Sequence, residues 1–427
     1  MKVAWINGII LDGTLDMVPQ KGMAILTDNK IIYDIVSENN IPEGYEIYDL
    51  KGKYILPGLI NLHVHTPGTG RPSKKPMDLN KICKVITSCK LSREIGIQIV
   101  SKNMKNALMA GITTVRAVGG IADFDTTVRN RIAKGKYQGP RLLAADLAIS
   151  VPGGHMAGTF AHIANNADQA KTLVDEIAKG KPDLIKLMIT GGIMDSEEIG
   201  KPGKLLMPKE YVYAACKRAH ELGYPVAAHC EGTEGVKVAL ECGVDTIEHG
   251  AMPTEEILSL FKEKNAAQVL TISPAIPYVS GFPGMFNISQ TAIINSQALL
   301  KGMTQMAKEN LKAGILVGLG TDSACSYSTQ YDMWRELVYF VKYCDVTNNF
   351  ALHTATLVNA QIAGIDKLTG SLEPGKSADM IAVEGNPLED LTLLRDVKLV
   401  VCEGRIYNNP KVKKYAEVEA ALDTLLD

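Results

Sequence analysis

Apolar and polar positions alternate in two distinct rhythms along the 427-residue chain. From residue 56 to 365, short apolar runs rich in β-branched residues alternate with helical patterns. The runs are "GLINLHVH", "GITTVRAVGG", "RLLAADLAIS", "DLIKLMITGG", "PVAAHCEG", "DTIEHGA", "AAQVLTIS" and "ILVGLGTDSA". Between them, "PKEYVYAACKRAHELG", "TEGVKVALECG" and "ALLKGMTQMAKENLKAG" have helical periodicity and end in Gly, a usual stop signal. Eight such units match the arithmetic of an α/β (β/α)8 TIM barrel. A doubly wound open sheet is the rival, but no G-x-G-x-x-G follows the first strand.

The ends differ. Residues 1–55 and 366–410 read as short strands broken by Gly, Asn and Pro, as in "KVAWINGIILDG" and "VKLVVCEGRIY". Neither end buries a good core alone, which predicts one small composite β-sandwich domain built from both termini, with the barrel (56–365) inserted. In the tail, 411–427, "KKYAEVEAALDTLLD" has helical periodicity and apolar positions to dock on the barrel or on a second subunit.

Composition narrows the classes. Hydrophobic residues make up 46% and charged residues 22%, ordinary values for a globular enzyme. A net charge of −2 argues against nucleic acid or an anionic membrane as partner, and no apolar segment reaches the roughly 20 residues of a membrane helix. Asn7 and Asp12 interrupt the N-terminal apolar stretch, a poor signal peptide, so the expected location is cytoplasmic. Eight cysteines without a C-x-x-C pair read as reduced, mostly buried thiols, Cys230 and Cys325 included.

Barrels place their chemistry at the C-terminal ends of their strands. His63 and His65 end the first strand, Lys186 lies in the fourth, His229 ends the fifth, His249 the sixth and Asp322 the eighth. Side chains at i and i+2 share a face, so His63 and His65 both enter the mouth and can grip one ion, at the ~2.0–2.1 Å of zinc–imidazole bonds. His229 and His249 enter beside them, and Asp322 arrives from the strand that adjoins the first on closure. Lys186 is the odd member, because an ammonium cannot ligate a cation and is costly to bury unpaired. Reaction of its neutral amine with carbon dioxide would give a bridging carbamate, which spacing alone does not establish. Singly, each residue has a structural explanation, and His162, His220 and His353 keep theirs. Six such residues ending five predicted strands read as a metal site.

The ordered string "LPGLINLHVH", "GITTVRAVGG", "PGGHMAG", "IKLMITGGIM", "AAHCEGTEGV", "GVDTIEHG" and "GSLEPGKSADMIAV" resembles the amidohydrolase superfamily over nearly the whole chain. Within it, the likeness is to the imidazolonepropionase-like branch, with its metal-dependent dipeptidases and carboxypeptidases acting on Xaa-Pro, Xaa-Arg or Xaa-Lys bonds. The resemblance implies two divalent ions, Zn2+ by ligand type. His63, His65 and Asp322 would hold one and His229 and His249 the other, with carboxylated Lys186 and a hydroxide bridging them. It implies hydrolysis of an amide or peptide C–N bond in a small molecule, a dipeptide or N-acyl amino acid, with Asp322 as general base and then acid. Homo-oligomers are common in the family.

Further site residues are expected around this set. His155, after two glycines in "PGGHMAG", matches an active-site His of relatives, so it is a substrate-contact candidate. Arg116 is a candidate partner for a substrate carboxylate or for Glu231. Tyr278 lies in a shaped pocket loop, 272–286, and residues 66–78 read as a rim or lid. One departure stands out: many dipeptidase relatives carry Tyr or His two residues after the fifth-strand His, where this chain has Glu231. A carboxylate there disfavours an anionic group and favours a cationic one, unless it pairs with a local Arg or Lys. Three other functions compete. Cyclic amide opening of the imidazolonepropionase kind stays open. Lys186 counts against a mononuclear deaminase, and the oxygen-rich ligand set against a purely structural metal.

Overall fold

The apolar runs of the middle segment become mostly buried strands, and the helical patterns fill the intervals. The computed structural model describes residues 1–73, 78–196, 198–282 and 289–426. Residues 74–77 of the expected rim loop and 283–286 of the expected pocket loop lie outside the described residues.

A seven-stranded parallel sheet runs from Ala161–Ile163 through Ala148–Ser150, Ile185–Met188, Val226–Cys230, Thr246–His249 and Ala267–Leu270 to Val317–Leu319. Leu59–Val64, Ile112–Ala117 and Arg141–Ala144 form a three-stranded parallel sheet. The expected third strand, "RLLAADLAIS", is therefore two strands. Asp146 takes left-handed backbone, φ 58°, and breaks the extended run between them. Helices Ala167–Ala178, Lys209–Glu221, Thr233–Glu241, Glu255–Lys264 and Gln290–Lys312 cover the larger sheet. Lys209–Glu221 shows why: it buries Val212, Ala215, Cys216 and Ala219, an i, i+3, i+4, i+7 stripe.

The eighth run returns to the first. Asp322 N–H donates to His63 O at 2.8 Å, and His65 N–H to Ser323 O at 3.0 Å. Asn359 seals the seam: its Nδ2 donates to Ile60 O (2.7 Å) and Leu319 O (2.9 Å), and its Oδ1 accepts from Leu319 N–H (2.9 Å). A Cβ at Gly320 would stand 2.4 Å from His63 Cβ, so only glycine lets the two chains approach this closely.

The termini build two further sheets. One orders Ile31–Ser37, Met23–Asp28, Lys2–Ile6 and Glu46–Asp49. The other orders Arg405–Asn408, Leu399–Cys402, Met380–Val383, Tyr54–Pro57 and Ile9–Ile10, so strands from both ends of the chain share it. Val3, Trp5, Ile25, Ile55, Met380 and Val401 meet in one apolar cluster. A partly buried ion pair, Arg141 Nη1 to Asp379 Oδ2 at 2.7 Å, ties this region to the parallel strands. The tail helix, Ala416–Asp423, packs on its own chain against Met333–Cys344, through Glu419 and Asp423 on Arg335. Among the described residues, no helix is long and apolar enough to cross a membrane.

Candidate active site

Strand ends bring the polar residues together. His63, His65, Lys186, His229, His249 and Asp322 line one cavity of ≈ 100 Å³, with His155, Glu231, Tyr278, Thr271 and Cys325. A larger cavity, ≈ 650 Å³, opens at the opposite ends of the strands, where Pro225, Asp245, Ala266 and Leu316 line it. It gathers no comparable set of ligand-type side chains, so the chemistry belongs to the smaller one.

Backbone conformation aims two of the six. His249 and Asp322 have φ of 67° and 47°, left-handed values that non-glycine residues adopt at a strain of order 1–3 kcal/mol. The turn at His249 explains how neighbouring residues serve one site: Glu248 reaches His63, and His249 still faces the cavity.

Each histidine has one ring nitrogen occupied by the protein. His65 Nδ1–H donates to Gly119 O at 2.7 Å, and His229 Nε2–H to Gly191 O at 3.3 Å. His63 Nδ1 bonds Glu248 Oε2 at 2.6 Å, and His249 Nδ1 bonds Thr271 Oγ1 at 2.7 Å. The opposite nitrogens are left for a ligand, the arrangement metal-binding imidazoles show. Those of His63 and His65 stand 3.5 and 3.3 Å from Asp322 Oδ1. Among the described residues, two groups have ligand atoms within 4.8 Å of one another: His63, His249 and Asp322, and His229, Glu231 and His249.

Electrostatics favour neutral rings around an anion. Burial, with the charge of Lys186 for His63 and of His155 for His229, pushes both imidazoles well below their ordinary range. Burial lowers His249 to about 4. Burial alone would raise the Asp322 carboxyl, but His63, His65 and His249 outweigh it and hold it far below the usual carboxylate range. Lys186 is 1% exposed, and burial lowers its amine to about 8 despite the carboxylates of Glu248 and Asp322. Its Nζ has no hydrogen-bond partner, nor has Asp322 Oδ1. Unpartnered buried groups of this kind are rare, and here they face one another's cavity with four imidazoles. The donor set therefore fits divalent metal.

A model of the amidohydrolase family matches residues 54–407. The chain belongs to the amidohydrolase family. It is thus a hydrolase acting on carbon–nitrogen bonds, in a family that generally depends on metal. The solved structure of a provisionally named prolidase from Bifidobacterium longum is 31% identical, covering 99% of this chain and 98% of that one, with a TM-score of 0.87. A Xaa-Pro dipeptidase solved with methionine in its active site is 27% identical over 96% of this chain and 100% of its own, with a TM-score of 0.83. Ochratoxinase from Aspergillus niger is 25% identical over 96% of this chain and 87% of its own.

In this amidohydrolase the second tier of expected residues divides. Tyr278 lines the cavity, and burial pushes its hydroxyl up. His155 stacks on His229, ring centroids 4.2 Å apart, with Nδ1 held by Asp195 Oδ2 at 2.6 Å. Arg116 is a correction. Its guanidinium turns to the floor beneath the histidines, donating to Leu62 O (2.7 Å), Thr246 Oγ1 (3.2 Å) and Glu248 Oε1 (2.8 Å). With three partners there, it is no contact for substrate or for Glu231. Glu231 has no Arg or Lys ion pair among the described residues, and its Oε2 is buried and unpartnered. Burial, with Asp322 and Asp195 nearby, pushes its carboxyl well above the ordinary range. Sequence reasoning missed Glu248, Thr271 and Asp195. Glu248 was the findable one, a lone acid in the apolar strand "DTIEHG".

Proposed function

We propose that this amidohydrolase cleaves a small amide or peptide substrate, of dipeptide or N-acyl amino acid type, with two divalent metal ions, most simply Zn2+. On this reading the two parallel sheets form one (β/α)8 barrel over 56–365, and the terminal sheets its composite sandwich. His63, His65 and Asp322 would hold one ion and His229 and His249 the other, with a carbamate on Lys186 between them. The observation that carries the reading is the unpartnered Lys186 Nζ, fully buried in one cavity with Asp322 Oδ1 and four imidazoles. A lysine in that place is expensive as an ammonium, whereas its lowered basicity exposes the amine for carbamate formation.

Bound ions would supply an acidified water and a polarised carbonyl. The chain's own residues do the rest. Asp322, ionised beside His63 and His65, accepts a proton at Oδ1 from the attacking water and returns it to the leaving nitrogen. Glu248, Gly119, Gly191 and Thr271 fix the ring orientations, so the site is preformed. The products are a carboxylic acid and an amine.

The test joins metal analysis to turnover. Apoprotein titrated with zinc and bicarbonate is expected to retain two equivalents and to hydrolyse members of a dipeptide and N-acyl amino acid panel. Lys186→Ala is expected to lose the bridging carbamate signal in carbon-13 NMR and at least one equivalent of metal. Full zinc retention and turnover by that variant would sink the binuclear assignment.

A further inference from the structure

Exposed apolar side chains are scattered over most of this surface, but six crowd onto one helical hairpin. Leu79, Ile82 and Val85 of helix Leu79–Thr87, and Leu91, Ile95 and Ile99 of helix Lys90–Met109, are 37–73% exposed. Six of the nineteen large apolar side chains exposed among the described residues thus fall within 21 consecutive positions. The inner faces of both helices are already used. Cys83 of the first and Ile97, Val100, Met104 and Leu108 of the second are buried in the main core. The outer stripe is therefore a second apolar face, one that core packing does not need.

The two rows share one surface. The helices meet at Gly96, where a Cβ would stand 2.9 Å from Ile86 Cγ1, so glycine permits the close approach. Leu79 and Ile82 lie seven and four positions before Ile86, and Ile99 three after Gly96, spacings that keep them on the faces that meet. Both rows flank that contact line and form one patch. At about half exposure, six aliphatic side chains present on the order of 500 Å² of apolar surface. That is close to the apolar share of the ~800 Å² each partner buries in a standard protein–protein interface.

The chemistry of the patch selects its occupant. Residues 79–109 hold no aromatic side chain, whereas helices that lie in a lipid surface set Trp and Phe on their apolar face. Leu, Ile and Val at helical spacing are the side chains of helix-on-helix packing. Lys81, Lys84, Lys90, Lys102 and Lys105 interleave with the rows, exposed and in no ion pair among the described residues. Residues 78–109 carry six basic against two acidic residues, while the whole chain has 45 against 47. The rest of the molecule is therefore acidic, and a second copy brings carboxylates to the lysines at the edge of an apolar contact. We propose that this hairpin face is where the protein docks on a second copy of itself, hairpin against hairpin, with the apolar rows at the centre and the lysines at the rim.

The test is sedimentation velocity on the full chain over a wide range of concentration. Wild type is expected to assemble into dimers or even multiples of them. Ile95→Glu puts a charge within the patch and is expected to weaken this contact roughly a hundredfold or more, leaving at most half the wild-type mass. Tyr213→Glu, at an exposed aromatic on Lys209–Glu221, is the matched control and is expected to keep the wild-type mass. Circular dichroism checks folding, and Leu91→Asp, at the most exposed of the six, repeats the test if Ile95→Glu does not fold. On wild type alone, amine cross-linking of copies assembled from labelled and unlabelled chains is expected to join hairpin lysines of one copy to those of the other. A monomeric wild type overturns the proposal, as does unchanged mass in the folded variants or inter-copy links that avoid the hairpin. Monomers that bind phosphatidylserine vesicles, and lose that binding in Ile95→Glu, overturn it in favour of a membrane.

Discussion

Glu248 joins the histidine layer to the layer beneath it. One oxygen receives His63 Nδ1–H, and the other receives Arg116 Nη2–H and Thr246 Oγ1–H at 2.8 and 2.7 Å. Glu248→Gln keeps the shape but removes the charge that orients His63, so zinc affinity is expected to fall roughly 10- to 100-fold in a chelator competition. Unchanged affinity would show that His63 is positioned by packing alone. A second buried acid makes a pH prediction. Asp125 accepts from Thr66 Oγ1, its Oδ2 is unpartnered, and burial together with Asp146 raises its carboxyl from 3.8 to about 7. The folded state then keeps a proton that the unfolded chain releases above about pH 4. The unfolded state binds fewer protons across that window, so stability falls as pH rises from about 4 to about 7. Melting scans are expected to show this slope in wild type and a flatter one in Asp125→Asn. Parallel slopes would contradict it.

At the scale of elements, the seam between Val317–Leu319 and Leu59–Val64 is braced by one side chain from outside both strands. Asn359 follows a π-helical turn, Thr354–Val358, and satisfies three backbone groups of the two strands. Asn359→Ala leaves those groups buried without partners, at about 3 kcal/mol or more. Urea denaturation is expected to move to a lower midpoint with an unchanged slope. A midpoint within error of wild type would place the seam's strength in the direct contacts of His63, His65, Asp322 and Ser323.

Across the whole molecule, the chain's last helix holds segments that are far apart in sequence. Arg335 is 1% exposed and meets Asp332, Glu419 and Asp423, while Arg395 meets the same two acids of the tail at 2.6 and 2.8 Å. Val418 and Leu422 pack on Tyr327, next to the loop that follows Asp322. Removing residues 411–427 leaves Arg335 with Asp332 alone, and breaking a buried pair from one side is strongly destabilising. The truncated protein is expected to melt several degrees lower while still binding zinc, because no proposed ligand lies in the tail. Loss of zinc without loss of melting temperature would mean that the helix acts on the site and not on the scaffold.

Local pattern carried much of this protein. Strand-ending positions of His63, His65, His229, His249 and Asp322, and the apolar run around Lys186, follow from short-range periodicity, which depends only on residues a few places apart. The family likeness follows from the same short motifs. Partner choice does not, because it is settled by residues brought in from far along the chain. His63 finds Glu248 across 185 positions, and Asn61 finds Thr321 across 260. Arg116 therefore looks free in sequence and is held by Leu62 O, Thr246 and Glu248 at the floor of the site. Glu231 looks pairable and forms no ion pair with Arg or Lys among the described residues. Left-handed backbone at Asp146 and Asp322 is likewise imposed by the chains packed around them, since nothing in either residue's own preferences demands it.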